Sequence, residues 1–173
     1  TIRAEWMPVG GGNRITSPDV RRGAVVQLYQ FGDSSDHYFW TTLKDDMHLR
    51  KLETAVYAFS ATTKESSKTD GSNSYFLEVS THKKLMTLHT SKANGEPFSY
   101  DIQVNAADGK IVITDDIGNL FVLDSRASRL FMKNSSSSSV EILKDNVTLI
   151  AGKAITSKSS THEIIAPGGI MLN

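Results

Sequence analysis

Cysteine is absent from the 173 residues, which excludes disulfides, cysteine-held metals and thiol nucleophiles. Net charge is zero and charged residues make up 22% of the chain, so nothing electrostatic favours nucleic acid or an anionic membrane as partner. No apolar run approaches the roughly 20 residues of a membrane-spanning helix. The opening stretch TIRAEWMPVGGG lacks the apolar core of a signal peptide, and Thr1 is compatible with removal of an initiator Met. A soluble chain made in a cytoplasm is the expectation. Helical periodicity is missing as well. Lys44 to Glu53 has room for one or two helical turns, and no helix of normal length is readable after residue 55. Hydrophobic content of 39% is slightly low, as it is when many strands keep one wet face.

What is present is a short repeat. From Val140 the sequence falls into sevens: VEILKDN, VTLIAGK, AITSKSS, THEIIAP and an unfinished GGIMLN. A coiled coil needs apolar residues three and four apart on strong helix formers. Here they sit two apart, as in Val140 with Ile142 and Val147 with Leu149, among Thr, Ser, Asn and Gly. Short strands at a fixed interval predict a β-solenoid whose rungs stack.

Upstream the pattern is also of strands and turns. Ile2 to Met7 reads as a short strand, followed by a loop at Gly10-Gly11-Gly12-Asn13 that lacks the Lys-Ser/Thr of a phosphate cradle. Ala24 to Phe31 and His37 to Leu43 form a predicted hairpin with aromatics on both arms, a good barrel nucleus. Its tip holds Asp33 and Asp36, which lack the full calcium-loop pattern and read as solvated. Ala55 to Thr62 is a further strand. Residues 64–74 have almost nothing to bury and form the expected linker. From Tyr75 onward strands and turns alternate without a break, and Ser135 to Ser139 reads as an exposed corner. The class is all-β, with a barrel over 1–73 and a β-helix over 75–173.

Strands of four or five residues, seven or eight apart, cannot circle a core alone, since single-chain solenoids need about 20 or more residues per turn. Three chains wound together can close such rungs, each supplying one side of a triangular section. The expectation is therefore an obligate, intertwined homotrimer, with Val140, Ile142, Val147, Leu149 and Ile164 in its core.

The two halves together resemble the central spike, or membrane-piercing, proteins of contractile-tailed bacteriophage baseplates and related injection machines. The barrel resemblance lies in Pro18-x4-Gly23-x2-Val26-x-Leu28-x2-Phe31-x-Asp33 and the returning Tyr38-Phe39-Trp40. The needle resemblance lies in Phe98 to Val104, in Gly109 to Asp124 and in the rungs after them. It implies an OB-fold-like barrel that docks on a baseplate hub or tail tube protein, and a trimeric β-helix needle that pierces the host envelope. It implies assembly in the host cytoplasm and residence in the virion tail. Three departures stand out. The linker leaves no room for a lysozyme domain, no His-x-His iron tip exists, and the chain runs out at apolar Ile170-Met171-Leu172, which suits a tip-capping protein.

The five histidines have no paired nucleophile or carboxylate at informative spacing, so no enzyme is expected and no cofactor is called for. His162 alone offers a metal reading, since three inward copies on a three-fold axis would make three ligands; pointing outward it is simply solvated. The alternatives are a trimeric receptor-binding fibre or adhesin stem, and an OB-type module for oligonucleotides. The latter rests only on Arg21-Arg22 beside Tyr29 and Tyr38.

Overall fold

Alternation with a period of two governs the chain from Thr54 to Ile150, and turn residues cut it into pieces of five to seven. The computed structural model describes residues 2–8, 12–32, 37–43, 52–62 and 70–171. Among them are twelve strands and no helix. The protein is all-β.

Three strands form a small N-terminal sheet: β1 (Ala4–Trp6), β2 (Val26–Gln30) and β3 (Tyr38–Thr42), in the order β1-β3-β2. The predicted hairpin is β2 with β3, registered from Val26↔Thr42 to Gln30↔Tyr38, and β1 runs parallel to β3. Phe31 meets Phe39 edge-on at 5.6 Å between ring centres and stacks on Tyr29 at 6.3 Å. Within the described residues this part is an open three-stranded sheet.

The remaining nine strands are one antiparallel meander, each paired with its sequence neighbour: β4 (Thr54–Ser60), β5 (Ser74–Ser80), β6 (Leu85–His89), β7 (Tyr100–Asn105), β8 (Lys110–Asp115), β9 (Leu120–Asp124), β10 (Arg129–Lys133), β11 (Ser139–Leu143) and β12 (Asn146–Ile150). At roughly 4.8 Å between strands and 3.4 Å per residue, the sheet is a ribbon about 38 Å long and about 17 Å wide at its five-residue strands.

Three features differ from the sequence reading. β4, placed with the barrel, pairs with β5 over seven positions from Thr54↔Ser80 to Ser60↔Ser74, so the division at 64–74 falls inside a sheet. Of that expected linker, 64–69 lie outside the described residues, and Asp70 to Asn73 turn tightly into β5. Second, the first two sevens are not successive parallel rungs. They are β11 and β12, a hairpin whose turn is Lys144-Asp145, since five strand residues plus two turn residues also make seven. Third, the expected rungs beyond Ile150 carry no strand over 151–171, a stretch without a ladder partner among the described residues.

Residues 13–16 run along the outer edge of β4. Ile15 N donates to Val56 O at 2.9 Å and Ala58 N to Asn13 O at 2.8 Å, which occupies backbone groups an edge strand would otherwise leave open. Arg14 bonds Glu53 and lies over the Trp6 ring at 5.9 Å, tying β1 to the start of β4.

Candidate functional site: an uncovered apolar face

Directly paired residues in a sheet share a face, so the register sorts every side chain from β4 to β12. One file on one face reads Ala55, Val79, Met86, Val104, Ile111, Leu123, Leu130, Ile142, Val147. Beside it runs Tyr57, Leu77, Leu88, Ile102, Ile113, Phe121, Met132, Val140, Leu149. Neither file contains a polar residue across nine strands. Beside these files the pair Phe59↔Tyr75 adds further aromatic surface, and Tyr100, bonded through its O to Thr90 N, stands opposite Asp115.

The opposite face is mixed and largely polar. Its central file includes Glu78, Thr87 and Gln103. Lys110 reaches Asp124 at 3.4 Å and Arg129 reaches Glu141 at 2.5 Å. On this face the His89 ring stacks against Phe76 at 4.8 Å and meets Asp101 Oδ2 at 3.0 Å and Gly71 O at 2.7 Å. These contacts hold the turn before β5 against β6.

Among the described residues nothing covers the apolar face. Ile102 is 37% exposed, Met132 48% and Val147 67%. The buried residues are Ala58 with five polar ones, Ser74, Ser80, Thr87, Ser91 and Asp124, so the described residues hold almost no apolar core of their own. The chain's accessible surface is 13126 Å². A folded monomer of 19.0 kDa should expose about 8,400 Å². Open grooves of about 380 and 240 Å³ lie on this face, one lined by Met132, Val140, Leu149 and Ile155, the other by Tyr100, Ile113, Phe121 and Met132.

Several turns along the ribbon's two long edges are built by carboxylates that accept backbone N–H groups. Asp115 accepts from Asn119 N at 2.8 Å and Ile117 N at 3.2 Å. Hydrogen bonds hold several such groups below the usual carboxylate range: Ser72 for Asp70, Tyr75 for Glu96, Lys92 for Asp116 and Ala127 N for Asp124. The turns also bond one another, Ala106 N to Lys84 O at 2.8 Å and Ser125 N to Gly109 O at 2.9 Å.

The sequence-selected core residues fall as follows. Val140, Ile142, Val147 and Leu149 share the apolar face, as the cross-strand pairs Val140↔Leu149 and Ile142↔Val147. Ile164 lies beyond the sheet, 73% exposed. Ile170 and Met171 follow a turn closed by Gly169 N to Ala166 O and are 58% and 92% exposed, while Leu172 lies outside the described residues. His162 sits on the strandless segment with Ser157 Oγ 3.3 Å from its Nε2, and the described residues contain no group of three metal-ligating side chains. Asp33, Asp36, Gly10 and Gly11 lie outside the described residues. The upstream fourteen members of the two files were not selected from sequence. Their signal was there in the alternation of each strand, but it becomes one surface only when register aligns the strands.

No protein-family model matches the chain, and no curated protein matches it as a relative.

Proposed function

We propose that the chain is the central spike of a contractile injection apparatus, of the kind carried by phage tail baseplates. In this reading three copies stand side by side with their apolar faces inward, forming a stiff rod. The N-terminal sheet, as part of an OB-fold-like module, docks on the hub or tail tube. The rod then transmits the force of contraction to the host envelope. Its work is mechanical, without a catalytic group or cofactor, and it resides in the virion tail.

The observation that carries this reading is the apolar face itself. Its footprint is roughly 650 Å² from strand spacing alone, above the 300–600 Å² of the largest patch on a typical monomer. Two unbroken apolar files suit a dry axis between identical copies better than a groove for a polar ligand. A ribbon about 17 Å wide encloses little by itself, and three such ribbons form a narrow closed prism. The unpaired stretch 151–171 also suits neighbours in other chains, which would supply its ladder partners. The exposed Ile170 and Met171 then offer an apolar contact to a tip-capping protein.

Light scattering on the purified chain tests the reading. Three times the 19.0 kDa chain mass is expected, persisting in SDS without heating. A monomer at micromolar concentration would refute it. A dimer would keep the covered face and refute the three-sided rod.

A further inference from the structure

Successive turns of the meander alternate between the ribbon's two long edges. One edge holds the turns β5–β6, β7–β8, β9–β10 and β11–β12. Their charged residues are Lys83, Lys84, Arg126 and Lys144 against Asp108 and Asp145, two more positive than negative. The other edge holds β4–β5, β6–β7, β8–β9 and β10–β11. Its described turn residues carry Asp70, Glu96 and Asp116 against Lys92, two more negative than positive. Residues 63–69, outside the described set, carry Lys64, Glu65 and Lys68, which lowers this imbalance without reversing it. The chain is neutral as a whole, yet its ribbon has a positive side and a negative side.

We infer that these two edges dock on each other between neighbouring copies, and that this contact fixes all copies in the same direction along the rod. The inference rests on the assembly proposed above and adds the surface that orients it. The occupant of each edge is a second copy of this chain, and charge complementarity is the argument. Rotation about the rod axis brings the positive edge of one copy against the negative edge of the next. Reversing one copy brings positive against positive and negative against negative. The apolar files cannot make this choice, because they present the same kind of surface in either direction. The edges can, as complementary fields select partners and fix register. Direction matters to a spike, since only same-direction copies place all N-terminal sheets at one end and all of 151–171 at the other.

The acidic side is built to stay charged. Glu96 Oε1 accepts from Tyr75 Oη at 2.6 Å and its Oε2 from Asn94 N at 2.8 Å. Asp116 accepts from Ser99 N at 3.1 Å. These bonds hold the carboxylates in place on the turns; Asp116 is also paired with Lys92 Nζ at 2.7 Å, so the negative charge this edge displays rests on Glu96 and Asp70.

Cross-linking reads the contact directly, since the chain has no native cysteine. Ala107→Cys lies on the positive edge, and Ile117→Cys on the negative edge, in the next turn along the chain. With a short bis-maleimide, the double variant should give covalent oligomers in denaturing gels, and each single variant only monomer. Cross-linking of either single variant, or none in the double variant while light scattering reports intact assembly, would overturn the edge contact and leave the spike reading standing. A monomeric wild-type chain would overturn both. As a second measurement, Lys84→Glu/Arg126→Glu/Lys144→Glu should raise the concentration for half-assembly roughly tenfold or more at low salt. The gap should close near 1 M salt, where screening acts within about 3 Å. Equal assembly of variant and wild type at low salt would also overturn it.

Discussion

Ile113 and Val112 are chain neighbours on opposite faces of β8, and lysine at each should have opposite consequences. Ile113 pairs with Ile102 and Phe121 in the middle of the apolar face, while Val112 pairs with Gln103 and Val122 on the other. In the isolated chain Ile113 is 38% exposed, so roughly 1 kcal/mol of its burial remains to be gained on assembly. In the proposed three-copy rod, lysine forfeits that gain and adds a charge beside the axis from each copy. Three ammonium groups about 10 Å apart repel by about 1.7 kcal/mol per pair at an effective dielectric of 20, or about 5 kcal/mol for three pairs. Desolvation adds several kcal/mol per unpaired ion. The total exceeds 10 kcal/mol for the assembly, enough to leave Ile113→Lys unassembled at micromolar concentration. Val112→Lys places the same charge outside and should assemble as wild type. Light scattering and SDS resistance of the two variants, side by side, give the answer. Equal assembly of both, or loss in Val112→Lys alone, would refute the inward apolar face.

The turn at 106–109 ends on Gly109 at φ 71°, with the nearest atoms to an added Cβ at 3.8 Å, so Gly109→Ala meets no clash and costs only the left-handed backbone, about 1–2 kcal/mol. A melting temperature unchanged from wild type would sink that estimate. Lys84 and Ser128 end the equivalent turns at φ 54° and 52° and already bear this strain. Arg14→Ala removes the bond to Glu53 and the Trp6 contact, so amide exchange at Val56 and Ala58 should quicken; unchanged exchange there would mean residues 13–16 hold β4 without it. The depressed carboxylates set the acid response. Asp70, Glu96, Asp116 and Asp124 are all held below their ordinary values. Their contribution is therefore complete above the ordinary range near pH 4 and is lost as pH falls through the lowered values. Melting temperature should hold from pH 7 to about 4 and then drop, and a flat profile down to pH 2 would contradict the turn contacts.

How far the fold was legible depends on which interactions set each part. The hairpin of β2 and β3 was readable because its alternation and its Gly32 turn are local. The all-β class was readable for the same reason. The nine-stranded order was not, because a period of seven fits a solenoid rung and a two-residue hairpin equally well. Only the pairing Val140↔Leu149 and Ile142↔Val147 distinguishes them. The pairing of β4 with β5 was not readable either, because residues 64–74 are polar, and polarity marks a connection between paired strands as well as a boundary between domains. Of the apolar face, sequence yielded the four members on β11 and β12. The rest needed register, which decides the face of every side chain and is fixed by turn geometry more than by composition.

The sevenfold repeat itself divides in two. Its first part, from Val140 to Leu149, continues the apolar files of the sheet. Its second part cannot, because Thr156 to Glu163 is eight polar residues in succession, and a dry axis would strip them of water without partners. Apolar side chains return only at Ile164 and Ile165. A single mechanism therefore does not cover the whole repeat. In the proposed assembly the sheet would join its copies by burying its face, whereas 151–171 would rely on backbone partners from neighbouring chains, since its side chains have nothing apolar to bury along those eight residues. Assembly should start at the sheet and proceed toward the C-terminal segment, with the apolar residues at 164–171 ordering last.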